Sequence, residues 1–475
     1  MGLPNPLPRG PIAAMNHDDL NHWSKRAADW ARDYHKTLRD KPVRPQLTPG
    51  DVAAKLPAQA PEQAEPMERI FADFESIVPC ATTHWQHPRF FAYFPANASP
   101  ASMLAEQLAN AIAGQAMLWQ TAPAANEIEA VMINWLRDAM GLPDTFTGTI
   151  HDSATTATLS AILTMRERAL DWQGNTAGLS ALPRLRLYAS GETHSSIDKG
   201  ARIAGIGQDN LVKIPTTDNF AMDTDALDAA IRADLAAGFL PAGVIACTGG
   251  TSIGACDDIR ATITVAKAHN LYTHVDAAWA GSAMICPEFR PLWDGVEGAD
   301  SVVFNPHKWL GAQFDCAVQF LRDPAPQINT LGLRPEYLNT LGQDEITNYN
   351  EWTVPLGRRF RALKLWFTLR AYGLEGLRSR IRNHINWSQE CLEIIAKLPD
   401  FEITTPQSFS LFTFRFKNSD TETEALLSRI NDDGRIYLTQ TRHKGQFVIR
   451  VQVGQFDCTR EDVMMIPAVL KELTT

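Results

Sequence analysis

Seven cysteines among 475 residues, odd in number and with no C-x-x-C pair, exclude a disulfide framework and make a metal cluster unexpected. No uninterrupted apolar run approaches bilayer length, so no spanning helix is expected and no membrane partner is implied. A basic excess is also missing. Lys and Arg number 44 against 54 Asp and Glu, a formal net charge of −10. That balance argues against nucleic acid or an anionic membrane as partner, since both attract basic surfaces. The opening stretch MGLPNPLPRGPIAAMNHDDL lacks the apolar core of a secretory signal. These absences read as a soluble, cytoplasmic protein, and they leave small ligands open because a site can be locally basic. The first fourteen residues, Pro- and Gly-rich ahead of a second methionine at Met15, are set aside as disordered or as a start-site artefact.

What is present is an ordinary globular balance, 45% hydrophobic and 21% charged, in a chain long enough for two or three domains. Over 18–38, Leu20, Trp23, Ala27, Trp30, Tyr34 and Leu38 recur at helical spacing. A Pro-rich linker and a second helical stretch at 66–77 follow. Two helices on a leash need another domain or subunit to cover their apolar faces. From about 85 to 372, short apolar runs at 185–189, 211–214, 243–247, 271–275 and 301–304 alternate with helical spans such as 224–236 and 261–269. This alternation predicts an α/β domain with a mainly parallel central sheet. After a long helix at 358–398, runs at 401–404, 410–416, 436–439 and 447–453 surround a helix at 421–431. They predict a small C-terminal α+β domain with a hairpin turn at Lys444-Gly445.

Three segments carry chemistry: HDSATTATLSAIL (151–163), THVDAAWAG (273–281) and FNPHKWLG (304–311). Ser153, Ala154 and Thr155 open a helix, where free N–H groups and hydroxyls suit a phosphate. Asp276 ends a buried apolar run and needs a cationic partner, for which a protonated pyridine nitrogen would serve. Lys308 follows another buried run beside an aromatic, a setting for a depressed pKa and Schiff-base chemistry. Taken singly, each has a plainer explanation: a helix cap, a strand-end turn, a loop lysine. Taken together at the carboxyl ends of parallel strands, they are the anchors that pyridoxal phosphate requires.

NPHKWLG, HVDAAWAGSA, THSSIDKGARIAG and HPRFFAYFPANAS resemble the group II pyridoxal-dependent decarboxylases, and more narrowly the aromatic-L-amino-acid decarboxylases. The resemblance runs from about Trp23 to the C-terminus. It implies an aspartate-aminotransferase-like fold (fold type I) and a homodimer in which an N-terminal helical arm, 1–84, packs on the partner. A large pyridoxal-phosphate domain would span 85–378 and a small domain 379–475. It further implies that Lys308 forms the internal aldimine, Asp276 pairs with the pyridine nitrogen, Ala278 packs on the ring and His194 stacks on its other face. Ser153, Ala154, Thr155, Asn305 and His307 would hold the phosphate or its surroundings, with Thr251 close to cofactor and substrate. Tyr337 falls 29 residues past Lys308 (337 − 308), where the family's catalytic-loop tyrosine lies, and would return a proton to Cα. Trp85, Tyr93, Phe94 and Pro95 would line the side-chain pocket. The expected reaction is decarboxylation of an aromatic L-amino acid to its amine and CO2: L-DOPA, 5-hydroxytryptophan, tryptophan, tyrosine or phenylalanine.

Departures bear on specificity. Trp279 stands at a pocket position where the animal enzymes carry tyrosine. Gln115 and Met117 replace an isoleucine and a phenylalanine expected to reach the neighbouring subunit's site. GGTSIG replaces the usual GTT run, and the loop from Tyr337 to Trp352 is about two residues shorter. Two rival activities remain at this stage. An aromatic aldehyde synthase typically carries phenylalanine at the loop tyrosine, which Tyr337 opposes. A decarboxylase of a non-aromatic acid such as glutamate should offer a cation to the side chain, where FFAYFP offers aromatics. A catalytically dead scaffold is opposed by an intact Lys308, Asp276 and Tyr337. Arg358 and Arg359 are expected to be a buried structural pair.

Overall fold

A computed structural model describes residues 15–333 and 346–474. Tyr337 and Gly342 lie outside the described residues. The central sheet has seven strands: β1 (Thr147–His151), β2 (Leu185–Ser190), β3 (Leu211–Ile214), β4 (Leu240–Cys247), β5 (Tyr272–Asp276), β6 (Ser301–Phe304) and β7 (Ala317–Leu321). Their order is β1-β7-β6-β5-β4-β2-β3. Neighbours from β6 through β3 run parallel, while β7 runs antiparallel to both β6 and β1. The α/β reading with a mainly parallel sheet is therefore correct. The parallel strands β4, β5 and β6 read as apolar runs because helices cover both faces of the sheet. Two strands were not legible. TGTIH in β1 carries one large aliphatic residue, and AVQFL in β7 follows an irregular stretch; each is a strand only because its neighbour supplies the ladder.

The C-terminal sheet is antiparallel, β10-β11-β9-β8, with β8 at Phe401–Ser408, β9 at Leu411–Phe416, β10 at Thr439–His443 and β11 at Gln446–Gln452. The expected hairpin turn is present: Lys444 and Gly445 both have positive φ, 48° and 81°, as a two-residue turn between right-twisted strands demands. The strand expected at 436–439 begins instead at Thr439, since Ile436 and Leu438 turn into the domain's core. The long helix, Ala362–Ile395, breaks at Gly373 (φ 63°, ψ 165°), five residues before the 378/379 boundary.

The N-terminal helices His17–Lys36 and Met67–Ile77 cover each other more than expected. Trp23 meets Phe71 at 5.4 Å, Trp30 meets Phe74 at 4.9 Å, and Arg26 pairs with Glu75 at 3.1 Å. Leu20, Ile70 and Val78 stay exposed. One segment stitches the two main domains together. Phe91 sits in the small domain's core; its N–H donates to Tyr437 O (3.0 Å) and its carbonyl accepts from Gln452 N–H (3.1 Å).

Candidate active site

The parallel strands deliver their side chains to one edge of the central sheet. Beyond β1 come Asp152 and Ser153; beyond β2, His194; beyond β4, Thr251; at the end of β5, Asp276; beyond β6, Asn305 and Lys308. They converge on a cavity of about 220 Å³ whose walls include Ser153, Ala154, Thr155, His194, Asp276, Ala278, Asn305 and Lys308. This is the crevice that an α/β sheet opens at its carboxyl ends.

Each wall group has unspent capacity. Ser153 caps the helix Ala154–Ala169 by accepting from Thr156 N–H (3.3 Å), and its own N–H donates to Asp152 Oδ1 (2.8 Å). The N–H groups of Ala154 and Thr155 have no protein partner among the described residues, which leaves a helix start ready for an anion. Asp276 is buried, accepts one backbone hydrogen bond from Ala278 N–H (3.0 Å) and has no ion pair among the described residues. A buried carboxylate so lightly satisfied calls for a cation. The Asn305 Oδ1 is buried without a partner, which costs about 1–3 kcal/mol if nothing fills the cavity.

Lys308 points at the same space. Its Nζ stands 4.8 Å from the centre of the Phe94 ring. Burial pushes its pKa down to about 8; Asp276 pulls it back up and Arg450 pushes it down further. Such a lysine has a far larger neutral fraction near neutral pH than an ordinary lysine, and the neutral amine is the form that Schiff-base formation requires. Its backbone is held from outside the motif: Asn97 Nδ2 donates to Lys308 O (2.7 Å) and Gly454 O (2.8 Å), while Asn97 Oδ1 accepts from Phe456 N–H (2.8 Å). A phosphate anchor, an unpaired carboxylate and a lysine around one cavity fit pyridoxal phosphate, which would supply an electron sink when bound.

Beside it lies a larger cavity of about 740 Å³, with Trp85, Tyr93, Phe94 and Pro95 on its walls. Phe94, His194, Thr251 and Lys308 border both cavities. Arg450 on β11 also lines the larger one and was not anticipated from the sequence. It is 3% exposed and lies 5.2 Å from the Phe94 ring centre. Its Nε donates to Ser252 O (2.9 Å) and its Nη1 to Tyr93 O (3.3 Å), whereas Nη2 has no partner. Burial lowers its pKa to about 10. The one available signal was a cation inside the apolar run FVIRV.

Other expected positions fall differently. His307 borders the larger cavity, packs on Phe314 at 4.7 Å, and accepts at Nδ1 from Cys316 N–H (2.8 Å); burial holds its pKa at about 3. Trp279 borders the smaller cavity, where its ring lies under Phe94 (4.8 Å) and on Trp309 (5.3 Å). Gly249, with φ 78°, makes room for it: a Cβ there would stand 2.5 Å from the Ala280 Cβ and 3.1 Å from the Trp279 ring. Gln115 and Met117 border neither cavity. Gln115 instead accepts from Arg358 N–H (2.7 Å) beside a groove with Glu106 and Arg359. Arg358 is buried against Glu129 (2.6 Å) as expected, but Arg359 is exposed and pairs with Glu106.

Residues 49–417 match the family model "Pyridoxal-dependent decarboxylase conserved domain". The chain belongs to the pyridoxal-dependent decarboxylase family. It is thus a pyridoxal-phosphate-dependent carboxy-lyase of fold type I. It is 39% identical over 461 residues to the aromatic-L-amino-acid decarboxylase of Sus scrofa, covering 94% of this chain and 93% of that one. It is 37% identical to the phenylacetaldehyde synthase of Arabidopsis thaliana, covering 93% of each. The structure of an Oryza sativa TDC with PLP and tryptamine superposes with a TM-score of 0.94 at 33% identity, covering 98% of this chain and 99% of that one.

Proposed function

We propose that this decarboxylase acts on an aromatic L-amino acid, giving the amine and CO2. The observation that carries the reading is the larger cavity: aromatic walls from Trp85, Tyr93 and Phe94, opening onto Lys308. Apart from Lys308 and the histidines, Arg450 is the cation on its walls among the described residues. With Lys308 committed to the cofactor, Arg450 is free for the substrate's α-carboxylate. An acidic side chain would then meet aromatic rings, and an aromatic one is favoured by stacking and apolar burial. Phe94 and its neighbours keep water from the carboxylate as its charge leaves. Asp276 holds a proton on the cofactor's ring nitrogen, and the Tyr337 phenol returns one to Cα. When the cofactor is bound, Ser153, Ala154, Thr155 and Asn305 would hold its phosphate end, His194 and Ala278 would flank its ring, and Thr251 would stand at the boundary with substrate.

The experiment is amine and CO2 release by the cofactor-loaded protein from a panel spanning tyrosine, phenylalanine, tryptophan, L-DOPA, 5-hydroxytryptophan and glutamate. Turnover confined to the aromatic acids supports the reading, and turnover of glutamate overturns it. The similarity to the Arabidopsis phenylacetaldehyde synthase motivates a second reading, aldehyde formation, which the same assay resolves if peroxide and ammonia are followed in air.

The working unit we infer is a homodimer in the cytoplasm. On the helix Pro100–Ile112, Leu104, Leu108 and Ile112 form an exposed apolar stripe at four-residue spacing. Gln115 and Met117 follow it closely in the chain, and in this reading they are the residues that extend towards a partner's site. All seven cysteines are free, which suits a reducing compartment, and no described helix is long and apolar enough to cross a membrane. The division into an arm (1–84), a large domain (85–378) and a small domain (379–475) is retained as the organisation of each subunit. An active monomer in light scattering would overturn the dimer.

A further inference from the structure

His194 borders both cavities, so the edge it presents there decides what it can do. Its Nδ1 is already taken. The Ser196 backbone N–H, which can only donate, lies 3.1 Å from Nδ1, and the Ser196 hydroxyl lies 2.8 Å from the same atom. A nitrogen that accepts from a backbone N–H has no proton of its own. Ser196 also opens the helix Ser196–Ile203, whose N-terminal N–H groups carry partial positive charge towards His194: that of Ser196 donates to Nδ1 and that of Ile197 to the His194 carbonyl (3.0 Å).

We propose that Ser196 is a positioning residue that holds His194 in the tautomer carrying its proton on Nε2, and so fixes His194 as a hydrogen-bond donor to the cavity. Desolvation lowers the pKa of His194; Asp276 on β5 and Asp198 on the helix that follows His194 oppose this, and Lys308 adds to it. The ring is therefore uncharged at working pH. An uncharged imidazole donates a hydrogen bond from Nε2 readily and surrenders that proton poorly. His194 thus serves to hold an oxygen of substrate or cofactor, and the proton that Cα receives comes from another group.

The test uses full-length protein with histidine labelled by 15N, the His194 signal being found by its loss in His194→Gln. In the wild type Nδ1 should show the shift of a bare ring nitrogen and Nε2 that of an N–H. A protonated Nδ1 overturns the proposal and needs no folded variant. Ser196→Ala keeps the backbone N–H and loses only the hydroxyl, so the Nε2–H tautomer should remain the major form while a minor Nδ1-protonated population appears beside it. There kcat should fall about tenfold, the scale of one net hydrogen bond. KM should stay within about twofold if the hydroxyl serves orientation alone, a hydrogen bond's scale being the larger change. The acid limb of the pH profile should move to higher pH. Ser196→Thr, which keeps the hydroxyl, should restore all three. If Ser196→Ala lowers thermal stability alone, leaving tautomer and kcat unchanged, the serine is structural and the proposal fails. The kinetic arm rests on the decarboxylase reading, whereas the tautomer arm does not, so the two failures are distinguishable.

Discussion

The two cavities share a wall and are built in opposite ways. The smaller is assembled from turns that immediately follow strands of one sheet, so its parts sit in short continuous motifs. The larger takes most of its walls from three remote stretches, 85–98, 307–314 and 439–450, and meets the sheet edge at His194, Thr251 and Ser252. The first of these is stitched to the small domain through Phe90 and Phe91, each of which meets Tyr437. In the proposed reading, cofactor chemistry belongs to the sheet edge, while substrate choice belongs to the junction between the segment at 85–98 and the C-terminal sheet. Substitutions at the sheet edge should abolish the reaction, and those at the junction should retune it.

The largest expected effect is at Lys308. Lys308→Ala should leave no measurable decarboxylation, and borohydride reduction of the wild type followed by peptide mapping should find the pyridoxyl group on Lys308. A label on another lysine would sink the division between the two cavities.

Tyr337→Phe removes one oxygen and almost no volume. Loss of a general acid should cut amine formation ~10²–10⁴-fold. A carbanion at Cα left waiting for its proton should react with dioxygen, so aldehyde, ammonia and peroxide should appear in air and not under nitrogen. Near-normal amine formation without aldehyde would mean that the proton comes from elsewhere.

Reconstitution should depend on pH. Burial depresses the Lys308 amine to about 8, so only its deprotonated fraction can attack the cofactor's aldehyde below that value. The rate of cofactor uptake by stripped protein should rise about tenfold per pH unit below 8 and level off above it. A rate still climbing steeply above pH 9 would mean the lysine is not depressed.

Arg450→Gln sharpens the junction side. It keeps a donor but removes the charge, so KM for the amino acid should rise about tenfold while uptake of the cofactor is unchanged. An unaltered KM would free Arg450 from any part in substrate binding. The smallest effect is expected at Trp279→Tyr. The ring supports Phe94 from below and touches no open part of the larger cavity, so preference among aromatic substrates should shift by no more than ~10–200-fold. Loss of all activity would instead place Trp279 in the cofactor's support.

How much was readable follows from the same contrast. Strand β6 could be bounded from sequence because a buried parallel strand is a continuous apolar run, and β3, an edge strand with Leu211 and Ile214 buried, because turn residues flank it. Asp276 and Lys308 could be found because each follows an apolar run, and Ser153 because it opens a helix with apolar Leu159, Ile162 and Leu163. Their chemistry follows from residue type at a known place in the chain, which is local information. Arg450 was overlooked because nothing in FVIRV says what lies across from it; its orphaned Nη2 and its place over Phe94 exist only once β11 is folded against the segment at 90–97. Trp279 could be marked as unusual but not placed, since its position under Phe94 depends on the space left by Gly249 some thirty residues earlier. Asn97 escaped for the same reason, since its partners Lys308, Gly454 and Phe456 lie more than two hundred residues away. Ser196 is a different case: it stands two residues from His194, but the sequence does not say which way the ring turns. Chain-local patterns thus carry the fold class, the strand ends and the cofactor's anchors, because hydrophobic periodicity and the turn after a strand act over a few residues. Where Arg450 lies, how the His194 ring is turned and how Lys308 is braced are decided by the tertiary structure, because packing alone brings β11, the segment at 90–97 and the sheet edge together.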